Sequence, residues 1–579
     1  MTTNTTATTA TTATTRRSFA GRVAAPGVGL GPFLRTDRPL ELDAAPDGEP
    51  AALIAEALDA VAERLFALAE SLRGEGRAEQ ADIMEVGGQI AGDPELRAGA
   101  VARAAAGAPP ARALDETVTA YADAMAALDD PTLAERAADI RQVGRRALAW
   151  LAGEREPAAE NAAENAAGRP RVLAAREIGA ADLLEPGRAV GAAITLRGGP
   201  NSHAAIVARS LGVPLLLAAD PEVLDLPDGV EVLVDDAADG GPAAVAHPAE
   251  AERATALAAL AEAGERRAAL AAGRHLPSET TDGHRMVLRA NVATADDARA
   301  ALTVHAEGVG LLRTELPFLD AAAWPTREAH VATVTPVLRA LEGRPAVVRT
   351  LDFADDKLPP FLAAASPSGH LGRGLPLMLA APEAFADQFR GLLTAARATG
   401  AELRIMIPMV ASPEELAACR ALLDLAAAEV GVEAPPLGVM VELREAVDAV
   451  DELARDAAFL SIGSNDLTCQ LLGVDRRDPA ATPALAAHPS VLTAIGEVAA
   501  AGRRHGRPVS VCGDAAAHPL LVPLLVGLGV DVLSAAPAAL DAVRARVRGL
   551  RYTDCVALAA EARELDSVER VWRLVEERV

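Results

Sequence analysis

The sequence predicts a multidomain α/β protein, in which an α/β domain is interrupted by a helical bundle and followed by a (β/α)8 TIM-type barrel. Three observations carry this expectation. Helical periodicity dominates from about Pro46 to Gly153. Short apolar runs mixed with helices follow from Arg171 to about His247. From Met286 to Ser534, eight strand-like runs alternate with helical stretches. A chain of 579 residues has room for three or four such domains.

The elements can be justified in order. Met1 to Thr15 is almost entirely Thr and Ala, the composition of a disordered extension, and residues 1–18 are assigned to it. Thr15-Arg16-Arg17-Ser18-Phe19 mimics a twin-arginine export signal. Arg22, Pro26 and a glycine-rich run interrupt the apolar stretch such a signal needs, which disfavours export. Ala25-Pro26-Gly27-Val28-Gly29-Leu30-Gly31 resembles a dinucleotide-binding loop but lacks a strong strand–loop–helix unit, so a glycine-rich strand and turn is the better assignment. Ala51 to Leu72, Ala111 to Leu128 and Leu133 to Leu151 each carry an apolar stripe opposite charges. The Pro-broken, alanine-rich run Glu154 to Gly168 is a linker. Short apolar runs such as Ala189 to Leu196, Leu215 to Ala218 and Val230 to Val234 are expected as strands of the mixed segment. Pro248 to Ala272 is a charged amphipathic helix with no evident partner, as a connector between mobile domains would be.

The barrel strands are placed at Met286–Ala290, Gly308–Leu312, Ala346–Thr350, Arg404–Pro408, Leu437–Val441, Phe459–Ile462, Val509–Cys512 and Val532–Ser534. In such a barrel the chemistry lies at the carboxyl ends of the strands. There the sequence places Arg313, Glu315, Arg349, Asp352, Lys357, Glu442, Asn465, Asp466, Arg476 and Cys512. Arginine forks suit bidentate binding of phosphate and carboxylate, and two carboxylates with room for water suit Mg2+.

Composition narrows the function. The net charge of −26 opposes binding to nucleic acid and suits a basic protein partner. No stretch is long and apolar enough to span a bilayer, so membrane insertion is not expected. Cys419, Cys469, Cys512 and Cys555 make no metal-ligand spacing and no disulfide framework, as suits a reducing cytoplasm.

The most specific signal is Arg197-Gly198-Gly199-Pro200-Asn201-Ser202-His203-Ala204-Ala205-Ile206-Val207-Ala208-Arg209-Ser210-Leu211-Gly212-Val213-Pro214. Two glycines permit close backbone approach, and His203 opens an apolar-periodic helix whose N-terminus suits an anionic phosphoryl group. This string resembles the phosphohistidine segment of phosphoenolpyruvate-utilising enzymes. Gly308 to Glu315, Val348 to Asp352, Ile407 to Val410, Val439 to Glu442 and Ser461 to Leu467 resemble enzyme I of the phosphotransferase system, the phosphoenolpyruvate–protein phosphotransferase family. The similarity runs from about Phe19 through nearly the whole chain and includes the helical run Glu135 to Arg141.

The resemblance implies a swivelling phosphohistidine domain (19–45 and 154–247), a helical insert that docks the carrier protein HPr (46–153), a connector (248–275), and a phosphoenolpyruvate-binding barrel that forms a homodimer (276–579). It implies that His203 attacks phosphorus, that Arg313, Arg349 and Arg373 clamp the phosphoryl group, and that Asn465 and Arg476 hold the substrate. Glu442 and Asp466 would ligate Mg2+, and Cys512 would protonate the enolate of departing pyruvate. Loss of one such group typically costs about 3–4 kcal/mol of barrier. With no sensor or carrier segment recognised, the phosphoryl group is expected to pass to a separate protein.

Three departures stand out. The Asp-x-Gly-Gly-Asp-Lys turn of the family is Asp352-Phe353-Ala354-Asp355-Asp356-Lys357. The following Asn-Pro-x-Leu-Gly-x-Arg-x-x-Arg becomes Ser366 to Pro376, with Pro376 at the last arginine. Cys-Gly-Glu becomes Cys512-Gly513-Asp514. Two alternatives share these features: a pyruvate phosphate dikinase or phosphoenolpyruvate synthase, and a catalytically weak regulatory protein that binds phosphoenolpyruvate. The first needs an ATP-binding domain, yet the residues before His203 are mostly helical hairpins without a phosphate-binding loop. The second rests only on the altered Asp352–Pro376 loop.

Overall fold

The computed structural model describes residues 15–38, 48–74, 78–127, 131–153, 169–185, 189–199, 202–237, 241–319, 321–353, 359–365, 375–475 and 481–579. The chain divides into two compact units, 1–266 and 267–579.

The first unit is built on a mixed sheet. In chain order its strands are β1 (Arg17–Ala20), β2 (Arg22–Ala25), β3 (Val28–Arg35), β4 (Arg171–Ala175), β5 (Val190–Thr195), β6 (Leu215–Leu217), β7 (Glu231–Asp235) and β8 (Ala243–Ala246). Their spatial order is β1-β8-β7-β3-β4-β5-β6-β2. The run β3-β4-β5-β6 is parallel and the flanking pairs are antiparallel. The glycine-rich segment therefore ends in a strand. Gly31 is required there because a Cβ would fall 1.8 Å from the carbonyl oxygen of Pro170.

Between β3 and β4 the chain leaves the sheet to form α1 (Pro50–Gly74), α2 (Ala78–Ala91), α3 (Pro94–Ala105), α4 (Pro110–Ala126) and α5 (Pro131–Leu151). Leu58, Leu114, Val143 and Ala147 are among the side chains that close its core. Crossing of α4 and α5 is tight, since a Cβ on Gly144 would overlap Val118 at 2.4 Å.

Three expectations need correction. The first strand starts at Arg17, inside the stretch assigned to the extension. Arg16 and Arg17 serve as ion-pair partners of Glu252 and Glu222, each at 2.6 Å. The helix Glu250–Ala272 does have a partner: Ala256 and Leu260 pack on Leu30, Leu233 and Val245 of the sheet. The insert holds two helices beyond the three read from periodicity, because glycines at 87 and 88 weaken the pattern of α2 and α3 is evenly mixed in polarity.

The second unit is a closed barrel of eight parallel strands: β9 (Val287–Val292), β10 (Val309–Leu312), β11 (Ala346–Arg349), β12 (Leu403–Ile407), β13 (Leu437–Val441), β14 (Leu460–Ile462), β15 (Val509–Val511) and β16 (Val532–Ala535). Each falls within a residue or two of its expected position. From β11 to β14 strand alternation sorts the side chains: Val348, Ile405, Val439 and Leu460 face the surrounding helices, while Val347, Met406, Met440 and Phe459 fill the lumen. In β10 a register shift after Val309 lets Leu311 join the lumen while Val309 faces outward. Gly438 makes room for the Phe459 ring, which a Cβ would meet at 2.4 Å.

One buried group makes this unit acid-sensitive. His330, on the helix Arg327–Ala340, is fully buried edge-on to Phe318, with no hydrogen-bond partner for either ring nitrogen. Burial pushes its pKa down from 6.5 to about 4, partly opposed by Asp387. The folded pKa lies below the unfolded one, so this contribution is complete above pH 6.5. It is lost as pH falls toward about 4, up to about 3 kcal/mol. His330→Leu is expected to flatten the fall in urea-melt stability between pH 7 and pH 4.5. An unchanged acid limb would show that His330 is not its source.

Candidate functional sites

The first site lies in the first unit. Ser202 caps the helix His203–Leu211, its Oγ accepting from the Ala205 N–H at 3.3 Å, and Gly212 ends it in the left-handed conformation (φ 64°). These two signals set His203 at the first turn. Its Nδ1 lies 3.3 Å from the Asp139 carboxylate on α5, and Asp139 is also 3.5 Å from Arg136. A carboxylate at Nδ1 selects the tautomer with hydrogen on that nitrogen, which puts the ring lone pair on Nε2. Asp139 carried no assigned role in the sequence, although it lies in the helical run that shares the family resemblance. Only its contact across the domain reveals it.

The second site is the mouth of the barrel. Arg349 ends β11 and is held by Glu315 at 2.7 Å and Asp352 at 2.9 Å. Burial lowers its basicity, but Glu315, Asp352 and Glu442 outweigh that and raise it, so the guanidinium stays charged. Thr314 donates from Oγ1 to the Arg349 carbonyl, and the Gln388 amide donates to the same hydroxyl while accepting from the Leu351 N–H. Gln388, Thr314 and Asn291 are positioning groups that sequence pattern did not distinguish from helix or strand filler.

Glu442, one residue beyond β13, is 1% exposed. Its Oε1 accepts from the Met409 N–H at 2.7 Å, and Met409 takes a positive φ of 55° to present that donor. Burial, reinforced by Asp352 and Asp466, pushes the Glu442 carboxyl well above the usual carboxylate range, against the pull of Arg349. Gly463 lies so close that a Cβ would meet Glu442 Oε2 at 2.8 Å.

Cys512, just past β15, is buried, with Sγ 3.6 Å from the Ile462 carbonyl. Burial foremost, with help from Glu442, pushes its thiol up to about 11 against the pull of Arg349 and Arg313. It is therefore a thiol, not a thiolate, at neutral pH. Asn291 fixes this strand end, donating to the carbonyls of Cys512 (3.0 Å) and Ser534 (3.2 Å).

The rim is more open. Arg313, Asn465 and Asp514 are exposed. Asn465 Nδ2 donates to Asp514 at 3.0 Å and its Oδ1 accepts from the Asp514 N–H at 3.1 Å. Asp466 lies in the first turn of the helix Ser464–Leu472. Arg313, Arg349, Glu442, Asp466, Asn465 and Cys512 thus all sit at one end of the barrel, as expected. Arg373, Arg476, Lys357 and most of the altered Asp352–Pro376 loop lie outside the described residues.

Close packing around Gly513 is a sensitive point, since a Cβ there would fall 2.0 Å from Ser464 Oγ and 2.9 Å from the Ser464 backbone nitrogen. Gly513→Ala is expected to cost about 1–3 kcal/mol of stability and to displace the Asn465–Asp514 pair. A thermal melt coincident with the parent protein would refute this.

Comparison with known proteins finds one family along both units. Residues 20–136 match the family described as PEP-utilising enzyme, N-terminal; residues 168–240 match its mobile domain; residues 267–552 match its PEP-binding domain. A phosphoenolpyruvate-protein phosphotransferase of Streptomyces coelicolor is 38% identical over 522 residues, 89% of either chain. A multiphosphoryl transfer protein of Xanthomonas campestris pv. campestris is 36% identical over 583 residues, 97% of this chain and 67% of that protein. A phosphoenolpyruvate-protein phosphotransferase of Geobacillus stearothermophilus is 31% identical over 480 residues, 79% of each chain. With identity of this extent spread across both units, the chain belongs to the phosphoenolpyruvate–protein phosphotransferases of the PEP-utilising enzyme family.

Proposed function

We propose that this enzyme transfers the phosphoryl group of phosphoenolpyruvate first to His203 and then to a histidine of the carrier protein HPr, releasing pyruvate, as the first step of a sugar phosphotransferase system. The observation that carries this reading is the His203–Asp139 pair at a capped helix N-terminus. It supplies an oriented nucleophile for the phosphoryl chemistry of the family.

In the proposed step, His203 Nε2 forms a bond to phosphorus as the bond from phosphorus to the enol oxygen breaks. Asp139 stabilises the cationic ring that results. Arg313 and Arg349, with Arg373 in support, would neutralise charge on the transferring oxygens, and Asn465 and Arg476 would hold the substrate. The Cys512 thiol would give its proton to the enolate carbon, forming pyruvate, and regain one from solvent.

Glu442 and Asp466 fit Mg2+. The buried Glu442 carboxyl is pressed by Asp352 and Asp466, a repulsion that a divalent cation relieves, and its Oε1 is already fixed by Met409. Two carboxylates suit an ion that keeps water and substrate oxygens as further ligands. When bound, the ion would act as a Lewis acid toward the substrate.

The acidic chain favours docking of a basic face of HPr, which the helical insert 46–153 would receive. Homodimerisation through the barrel and a cytoplasmic location belong to the same proposal. No helix of the described residues is long and apolar enough to cross a membrane.

Mass-spectrometric mapping after incubation with phosphoenolpyruvate and Mg2+ tests the assignment. A label at His203, absent in His203→Ala, not produced by ATP and discharged by HPr, is expected. Absence of label despite phosphoenolpyruvate binding would favour the regulatory alternative. Cys512→Ala is expected to slow pyruvate formation about a hundredfold while leaving phosphoenolpyruvate affinity nearly unchanged. An undiminished rate would remove Cys512 from the proton path.

A further inference from the structure

We propose that the first unit carries a second anion site, separate from His203, that binds a small molecule with at least two phosphate or carboxylate groups. The site is a cavity of about 460 Å3 between α4 and α5 of the insert and the carboxyl ends of β3, β4 and β5. Its lining includes Arg35, Arg38, Arg141, Arg145, Arg176 and Arg197. The carboxylates that face the same space are fewer: Asp37, Asp115 and Glu177.

Four of these arginines are engaged. Arg35 pairs with Asp37 at 3.0 Å, Arg38 with Asp228, Arg141 with Asp123 at 3.1 Å, and Arg145 with Asp182 at 3.9 Å. Among the described residues, neither the Arg176 nor the Arg197 guanidinium makes a hydrogen bond or ion pair. These two follow adjacent parallel strands, and the Arg197 N–H donates to the Arg176 carbonyl at 2.9 Å, so their stems leave the sheet side by side. Thr36, at the end of β3, completes the row. Its Oγ1 is buried without a partner and lines the same cavity.

Ligands of open parallel sheets bind at the carboxyl ends of the strands. Here three neighbouring strand ends offer two guanidinium forks and a hydroxyl, the donor set for a phosphate or carboxylate. Val118 and Leu148 supply an apolar wall for a carbon skeleton. Arg176 and Arg197 each offer a separate fork, so a ligand with two anionic groups can engage both at once. An occupant would also brace the insert: α5 carries Arg141 and Arg145 into the cavity and, two residues before Arg141, Asp139 to His203.

Isothermal titration of the full chain in metal-free buffer tests this, with inorganic pyrophosphate in one arm and citrate in the other to separate phosphate from carboxylate recognition. Saturable binding is expected in at least one arm. It should weaken at least about tenfold in the Arg176→Gln/Arg197→Gln variant and be retained in part by Arg176→Lys/Arg197→Lys. A thermal melt establishes that the glutamine variant is folded, and Arg141→Gln provides the same reading if it is not. Three results would overturn the proposal: no saturation in either arm, unchanged affinity in the folded variant, or loss of binding only in Arg313→Gln. The last would place the anion at the barrel mouth.

Discussion

Arg349 is the cation around which the mouth of the barrel is assembled. Its guanidinium lies between Glu315 and Asp352, whose side chains are 8% and 3% exposed, and its charge also acts on Glu442 and Cys512. Buried ion pairs contribute little net stability, because desolvation offsets most of their attraction. Their value here is positional. Glu315 and Asp352 come from neighbouring strand ends, and without a central positive charge they could not remain close together and ionised. The Thr314–Gln388 chain then fixes the backbone that presents the arginine. Polar order at the mouth and apolar filling of the lumen are thus complementary. Leu311, Val347, Met406, Met440 and Phe459 exclude water below, which strengthens every interaction above.

The two sites use opposite means of tuning a titratable group. Cys512 is kept protonated by burial beside a carboxylate, as its proposed role of proton donor requires. His203 instead faces the Asp139 carboxylate at a partly open helix terminus, which orients its ring without sealing it away. The nucleophile proposed here, which would have to meet more than one partner, is better served by orientation than by enclosure. The connection between Asp139 and the sheet is reinforced nearby, where Arg146 of α5 pairs with both Asp182 and Glu185.

All eight barrel strands were legible in the sequence, because buried parallel strands are short β-branched and leucine-rich runs bounded by helices. The small sheet was less so. β8 reads Ala-Ala-Val-Ala and β4 ends in two alanines, residues that favour helix locally and become strands only through pairing. β1 buries only Phe19, too little for a periodic signal. At the barrel mouth, every chemically loud residue that is described could be located from strand ends alone. Asp139, Asn291, Gln388 and the Met409 N–H could not, since their roles depend on contacts between segments far apart in sequence. Met409 is the extreme case, as its contribution is a backbone donor that no side-chain pattern encodes.

The insertion between two neighbouring strands, which holds five helices among the described residues, imposes an order on biosynthesis. β3 and β4 pair side by side, yet the ribosome must deliver the whole insert between them. The outermost strand must wait longer still: β1 pairs only with β8, and Arg16 meets Glu252 across 236 residues of sequence. The helical hairpins, whose contacts are mostly local, can close during synthesis and draw the ends of β3 and β4 together, shortening the effective loop. Until β8 emerges, the β1 segment has no strand to pair with and β7 presents an open edge. A nascent first unit is therefore at its most aggregation-prone when almost complete, and its window of exposure closes only as the helix Glu250–Ala272 leaves the exit tunnel to cover Leu30, Leu233 and Val245.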